Sequence, residues 1–404
     1  PSGAVFLSLP MNVMEESCDA QIQDVSYVDR RPVAHGLPEL ASYLAAYKPG
    51  KVAIVAGDEI SVNDAYKEVV SLAELLAAPV YGSSWPAHIP YPTSHYLWRG
   101  NLPTSTEAIG NTMSNFDAVL AIGGTSFSTV LYSDKPALPE NCDLFQLSSD
   151  GRDLGRSYAT KLSLVGDIEY SARELNGLLQ KEVQSKSDEY GLERVKASKL
   201  FSDVRRELNK RADQLSVREP LHPMPVAREL ARAIGKTPIV DEALATTTHL
   251  RQFLDNDHSR QYSMNRGGAL GWGMPAAIGF SLGLGREPVV SIVGDGAAMY
   301  SPQCLWTAAY EKLPVTFIVI NNTEYNILKN FMRSQPEYES AQTGKFIAMD
   351  LVEPPIDFQA LATSMGIASK RITRLNDINE VVTSSIRSGR PSLIEIVVGI
   401  ETEA

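Results

Sequence analysis

Two short stretches hold the most legible chemistry in this chain. An apolar run beginning at Val289 opens into Gly294-Asp295-Gly296-Ala297-Ala298, and a second, Val315 to Ile320, closes on Asn321-Asn322. Small residues at the end of a buried strand let backbone N–H groups approach a phosphate. Here they surround a carboxylate. Asp295 and Asn322, 27 positions apart, together offer a carboxylate and an amide oxygen, hard donors suited to Mg²⁺ or Ca²⁺. Mg²⁺ takes few protein ligands and completes its octahedron with water and phosphate oxygens. No Lys or Arg lies between Arg286 and Lys312, so a diphosphate at these N–H groups needs a metal to neutralise it. On this reading Asp295 holds a cation and the cation holds an anion.

The elements around the two stretches bring them together. The run 289–293 reads as a buried strand, Ser301-Pro302 as the N-cap and first turn of a helix reaching about Lys312, and 315–320 as a second buried strand. A right-handed crossover makes the strands parallel and near neighbours. Both loops then open on the carboxyl edge of the sheet, where open α/β folds bind ligands.

The rest of the chain repeats this alternation. Strands are expected at 51–57, 116–124, 142–148 and 161–167, and again at 238–243, 288–296, 315–322 and 391–399. Helices are expected at 62–78, 273–285 and 377–389. The fold class is α/β, with two doubly wound parallel-sheet domains. The expected organisation is residues 1–20 as the tail of a preceding domain, 21–180 as a central Rossmann-like domain, 181–218 as a helical linker and 219–404 as the diphosphate-binding domain. The charge-rich stretch from 170 to 215 reads as solvated helix. No G-x-G-x-x-G follows a strand, so no dinucleotide site is inferred. "GAVFLSLP" at the start reads as a buried strand with nothing before it to pair with, either the last strand of a further domain or an N-terminal edge strand.

Composition narrows the classes. A net charge of −11 gives no electrostatic basis for binding nucleic acid or an anionic membrane, and no apolar run is long enough to span a bilayer. The first residues lack a signal-peptide pattern. The cysteines, Cys18, Cys142 and Cys304, lie far apart with no C-x-x-C spacing, which points away from disulfides and zinc and toward the cytoplasm.

The element from "GDGAAMYSPQ" through "VTFIVINN" resembles the thiamine-diphosphate signature, GDG followed at this distance by NN. "GGALGWGMPAAIG" (267–279), "PLHPMPV" (220–226) and "YPTSHYLWRGNLP" (91–103) resemble benzoylformate decarboxylase and related 2-keto acid decarboxylases and carboligases. The likeness covers nearly the whole chain. It implies thiamine diphosphate and Mg²⁺ as cofactors, with Asp295 and Asn322 as side-chain metal ligands and Glu324 as a backbone-carbonyl ligand. Gly294, Gly296, Ala297 and Ala298 would face the diphosphate, with the backbone of Tyr325 and Asn326 nearby. Thr246 and Thr247 match positions near the phosphates, or cap the helix that follows. Leu270 matches the residue that wedges beneath the cofactor and bends it, and Gly268 would offer a carbonyl to its amine. His222 matches a histidine that protonates intermediates. Ile327, Leu328 and Phe331 would line the substrate pocket. The implied reaction is decarboxylation of a 2-keto acid through an enamine, giving an aldehyde or, with a second carbonyl compound, a carboligation product. An acetolactate-synthase-like carboligase and a non-catalytic cofactor-binding subunit are the alternatives. FAD on the central domain is compatible with the carboligase alternative but not expected.

Two departures and one missing part qualify the likeness. At the position before the glycines, where the arylglyoxylate enzymes have a small apolar residue, this chain has Arg266, flanked by Asn265 and Met264. Arg266 either holds a second anionic group of the substrate or is a surface arginine. Ile327 is bulkier than the family's usual residue. The glutamate that activates the pyrimidine ring lies in a domain expected before "GAVFLSLP". The expectation is that another polypeptide supplies it, in a dimer or tetramer of such pairs.

Overall fold

Runs of apolar residues without alternation become strands covered on both faces. The computed structural model describes residues 5–29, 31–130 and 133–400. The first sheet comprises β1 (Val52–Ala56), β2 (Val80–Gly82), β3 (Trp98–Asn101), β4 (Ala118–Ile122), β5 (Asp143–Ser148) and β6 (Leu162–Val165). The second comprises β7 (Ile239–Glu242), β8 (Tyr262–Met264), β9 (Val289–Gly294), β10 (Val315–Asn321), β11 (Ala368–Ile372) and β12 (Ser392–Val397). Their orders are β3-β2-β1-β4-β5-β6 and β11-β12-β10-β9-β7-β8. All pairings within the two sheets are parallel. Every residue of β1, β4 and β10 is buried, as helices on both faces of a parallel sheet require.

In the second sheet the chain moves from β7 outward to β8 and then returns to the other side of β7 to form β9. The loops leaving β7 and β9 therefore diverge, and such a reversal opens a crevice at the carboxyl edge. Helix Pro223–Ile234 buries one side on one face of this sheet. Helix Gly273–Gly283 and helix Cys304–Glu311 pack on the other.

Several expectations need correction. Val5–Pro10 form no strand and are exposed, while Pro1–Ala4 lie outside the described residues. An apolar segment without a neighbouring strand has nothing to complete its hydrogen bonds. The expected helix 62–78 is two, Glu59–Val62 and Tyr66–Leu76, broken where Asp64 takes a φ of 54°. Ser301 is not an N-cap: the helix starts at Cys304 after Gln303, and the Ser301 hydroxyl donates instead to the Gly271 carbonyl at 2.7 Å. A one-turn helix, Asp295–Ala298, precedes it. Strands β2, β3, β8 and β11 add to the eight expected from sequence; they are short or, in β11, mostly exposed, and so lack a long apolar run.

The 29-residue helix Ser187–Leu215 buries only Tyr190 and Ala212, as its charge density suggests. The two sheet units meet through the segment 86–95. The Ala87 carbonyl accepts from the Met264 N–H at 2.8 Å, and the Thr93 hydroxyl donates to the Leu254 carbonyl at 2.6 Å.

Candidate cofactor and metal site

β9 and β10 lie side by side in a register that pairs Gly294 with Ile320. The residues after each strand therefore start from the same level of the edge. Asp295 is 4% exposed. Its Oδ2 accepts the backbone N–H of Asn322 at 3.1 Å and of Thr323 at 2.6 Å, and Oδ1 accepts that of Gly296 at 2.8 Å. Burial pushes its pKa up to about 6, although the three N–H groups pull it back. Among the described residues no cation pairs with this carboxylate.

The loop after β10 is built tightly. Thr323 takes a left-handed φ of 59°. Asn322 Oδ1 accepts the Glu324 N–H at 3.1 Å. Segment 349–351 runs antiparallel beside the loop, with the Tyr325 N–H donating to the Met349 carbonyl at 2.9 Å and the Leu351 N–H to the Thr323 carbonyl at 2.7 Å. The Glu324 side chain is buried and ion-paired with Lys329, which also pairs with Asp350. That side chain is engaged within the protein, so a contribution from Glu324 to a metal falls to its carbonyl. The Tyr325 ring lies over Gly296, where a Cβ would come 2.5 Å from ring carbon Cε1. Ala297 and Ala298 are buried beside Asp295, Gly294 leads into them from β9, and Asn326 is buried at the start of the next helix.

Glu242, at the end of β7, anchors the loop that follows β8. Its buried carboxylate accepts the N–H groups of Trp272 at 3.2 Å and Gly273 at 3.0 Å, and burial raises its pKa. Asp241, fully buried and also raised by burial, accepts from the Thr247 hydroxyl at 3.0 Å and the Tyr262 hydroxyl at 2.6 Å. Thr247 thus fastens its helix to β7. Thr246 is buried and makes no side-chain cap. The turn carrying it, Leu244–Thr246, touches both helix Asn326–Arg333 and helix Pro223–Ile234.

Asn265 folds the loop: its amide donates to the Ala269 carbonyl at 2.9 Å and its Oδ1 accepts the Gly267 N–H at 2.9 Å. Gly268 follows with φ 68°, and Leu270, half-buried, packs on the sheet core. Met264 is buried, its sulfur 2.9 Å from an Arg251 nitrogen.

Arg266 forms an ion pair with Asp58 of the first sheet unit at 3.3 Å. The side chain remains about one-third exposed, so it is a part-exposed loop arginine that bridges to the first sheet unit. Ile327, Leu328 and Phe331, spaced for one helix face, remain partly or largely accessible, while Asn326 and Lys329 of the same helix are buried.

His222 is the N-cap of helix Pro223–Ile234, its Nδ1 accepting the Met224 N–H at 3.1 Å. With Nδ1 an acceptor, the proton of the neutral ring sits on Nε2. The His249 ring lies 6.1 Å from it, centroid to centroid. Sequence reasoning passed over His249, Lys329, Asp58 and Glu242, since no local pattern marks partners that meet only in the fold.

The donor set fits a divalent cation holding a diphosphate. The buried carboxylate is bonded by neutral N–H groups alone and pushed up in pKa, an amide oxygen stands on the adjoining loop, and small residues flank both. A bound cation would favour the ionised form that burial disfavours.

The family description of the C-terminal TPP-binding domain of thiamine pyrophosphate enzymes matches residues 245–396, and that of their central domain matches residues 37–175. Benzoylformate decarboxylase of Pseudomonas aeruginosa is 25% identical over 401 residues, 98% of this chain and 70% of that protein. A probable acetolactate synthase large subunit of Methanocaldococcus jannaschii is 24% identical over 415 residues, 98% of this chain and 66% of that protein. The crystal structure of benzoylformate decarboxylase from Polynucleobacter necessarius superposes with a TM-score of 0.79 at 22% identity, covering 96% of this chain and 69% of that one. The chain thus spans 66–70% of the length of these three proteins.

Proposed function

Since the chain belongs to the thiamine pyrophosphate enzymes and carries their central and C-terminal domains, we propose that it binds thiamine diphosphate and Mg²⁺ and decarboxylates a 2-keto acid. The observation that carries this is the meeting of Asp295 with the Asn322 loop, where a carboxylate and an amide oxygen share one strand edge. When bound, the cofactor supplies a nucleophilic carbon and an electron sink for the bond to the departing CO₂.

The chain's residues do the rest. Asp295, Asn322 and the Glu324 carbonyl hold Mg²⁺. The N–H groups of Ala297 and Ala298 face the diphosphate, beside Gly296, whose N–H is held by Asp295. Leu270 and the Gly268 carbonyl set the pose of the ring end, with Thr246 near the phosphates. Ile327, Leu328 and Phe331 give the substrate an apolar wall. Arg266, held by Asp58, serves the joint between the two sheet units rather than the substrate. His222 would present its Nε2–H to the reacting group as a hydrogen-bond donor, and a protonated ring would give up its Nε2 proton there and return to the neutral tautomer, toward an aldehyde product. The carboxylate that activates the pyrimidine ring belongs, in this reading, to a pyrimidine-binding domain outside these 404 residues, on the same or a separate polypeptide.

Calorimetric titration with thiamine diphosphate and Mg²⁺ tests the binding. The unmodified chain binds, and Asp295→Asn and Asn322→Ala each weaken it; binding unaffected by both substitutions refutes the assignment. With the pyrimidine-binding domain present, CO₂ release from aliphatic and aromatic 2-keto acids identifies the substrate.

A further inference from the structure

Glu395 is a fully buried acid in the middle of β12. A charge there is costly to strip of water, and the strand would accept an apolar residue. Its two oxygens are used separately. Oε2 accepts Arg371 Nε, from its register partner on edge strand β11, at 2.6 Å. Oε1 accepts Asn321 Nδ2, at the end of β10, at 2.7 Å. The Oδ1 of Asn321 then accepts the Thr323 N–H at 3.0 Å, the same N–H that Asp295 Oδ2 engages at 2.6 Å. One unbroken line of polar contacts runs from the half-exposed Arg371 to Asp295.

We infer that Glu395 is a positioning residue for the metal site, acting by fixing which way the Asn321 amide points; this rests on the metal-site assignment above. A carboxylate only accepts hydrogen bonds, whereas an amide offers one accepting and one donating end. Facing Glu395, Asn321 must present its NH₂, which leaves Oδ1 toward Thr323. That contact helps hold Thr323 in its left-handed turn, an uncomfortable conformation for a β-branched residue. The turn places Asn322 and the Glu324 carbonyl beside Asp295. A glutamine at position 395 keeps its oxygen toward Arg371 and turns its NH₂ to Asn321, which draws the Asn321 oxygen away from Thr323.

The experiment is a titration of Mg²⁺ into the whole chain with thiamine diphosphate present, beside thermal melts without metal. Asp295→Asn is the reference for the site itself. Glu395→Gln lowers Mg²⁺ affinity about tenfold, the usual size for a group supporting a ligand. Asn321→Asp alone also weakens binding, because two carboxylates then face each other. The double variant Asn321→Asp/Glu395→Gln recovers most of the loss. Its introduced glutamine donates to the introduced aspartate and still accepts from Arg371, while the aspartate, an acceptor only, turns its other oxygen to the Thr323 N–H. A merely structural role for Glu395 predicts lower melting temperatures and no such recovery. Arg371→Met, on the exposed edge strand, lowers affinity in the same sense and keeps the measurement available should Glu395→Gln not fold. Wild-type affinity in Glu395→Gln or, failing its folding, in Arg371→Met, or a double variant no tighter than the singles, overturns the inference. Unchanged binding in Asp295→Asn instead overturns the metal-site assignment.

Discussion

Thr323 donates its backbone N–H to Asp295 Oδ2 at 2.6 Å from a left-handed turn with φ 59°. The ends of two neighbouring strands are joined by this contact, and a β-branched residue bears the conformational cost. Its hydroxyl donates to the Asn322 carbonyl at 2.7 Å, which offsets part of it. Thr323→Gly removes the Cβ clash and is expected to leave stability unchanged or raise it by up to about 1 kcal/mol. Thr323→Val keeps the branch, loses the hydroxyl bond and is expected to cost about 1 kcal/mol. Urea denaturation of both variants checks the pair; a destabilised glycine variant would show that the turn is not strained.

Metal binding should be linked to protons through Asp295. Its pKa is raised to about 6 by burial, so below that pH the metal-free site is protonated and Mg²⁺ must displace the proton. Apparent affinity therefore falls by about tenfold per pH unit below the pKa and is flat above it. Stability without metal runs the other way. With a folded pKa above the unfolded 3.8, the metal-free fold loses stability as pH rises from the lower value to the upper. Added Mg²⁺ and thiamine diphosphate stabilise more at pH 7 than at pH 5. Calorimetry in two buffers of different ionisation enthalpy, with proton release appearing only below about pH 6, is the check.

His222 carries two roles that one substitution can separate. Asn is a good N-cap and has no imidazole. His222→Asn is expected to keep stability within about 0.5 kcal/mol while turnover of the complete enzyme falls about 10²- to 10⁴-fold. His222→Ala loses the cap as well, at about 1 kcal/mol. Thermal melts and CO₂ release on the same samples distinguish the roles; equal turnover in His222→Asn and wild type would remove His222 from the chemistry.

The joint between the sheet units depends more on Asp58 than on Arg266. Burial alone would raise the Asp58 pKa, but the His88 side chain and the N–H groups of Ala87 and His88 together hold it below the ordinary value. Those N–H groups donate at 3.0 and 2.9 Å, against 3.3 Å for Arg266. Asp58→Ala strands two donors and is expected to cost about 2–3 kcal/mol. Arg266→Ala, losing a part-exposed pair, costs less than about 1 kcal/mol. With a lowered folded pKa, the Asp58 contribution is complete at neutral pH and fades only as pH falls below the unfolded value of 3.8. Denaturation at pH 7 and pH 3 checks both the order and the sign.

The sequence by itself determined the parallel α/β class, most of the strands, and the pairing of Asp295 with the Asn322 loop. Apolar runs long enough to be buried on both faces, such as 289–293 and 315–320, report their own state, and right-handed crossover leaves one way to arrange them. Tertiary structure decided what the polar groups do. Nothing near Arg266 in the sequence points to Asp58, 208 positions away, with which it pairs. Glu242, His249 and Glu395 likewise acquired partners on strands, loops or helices that no local spacing connects. A buried strand announces itself through its own residues, whereas the meaning of a charge lies in the residue opposite, and the fold supplies that residue.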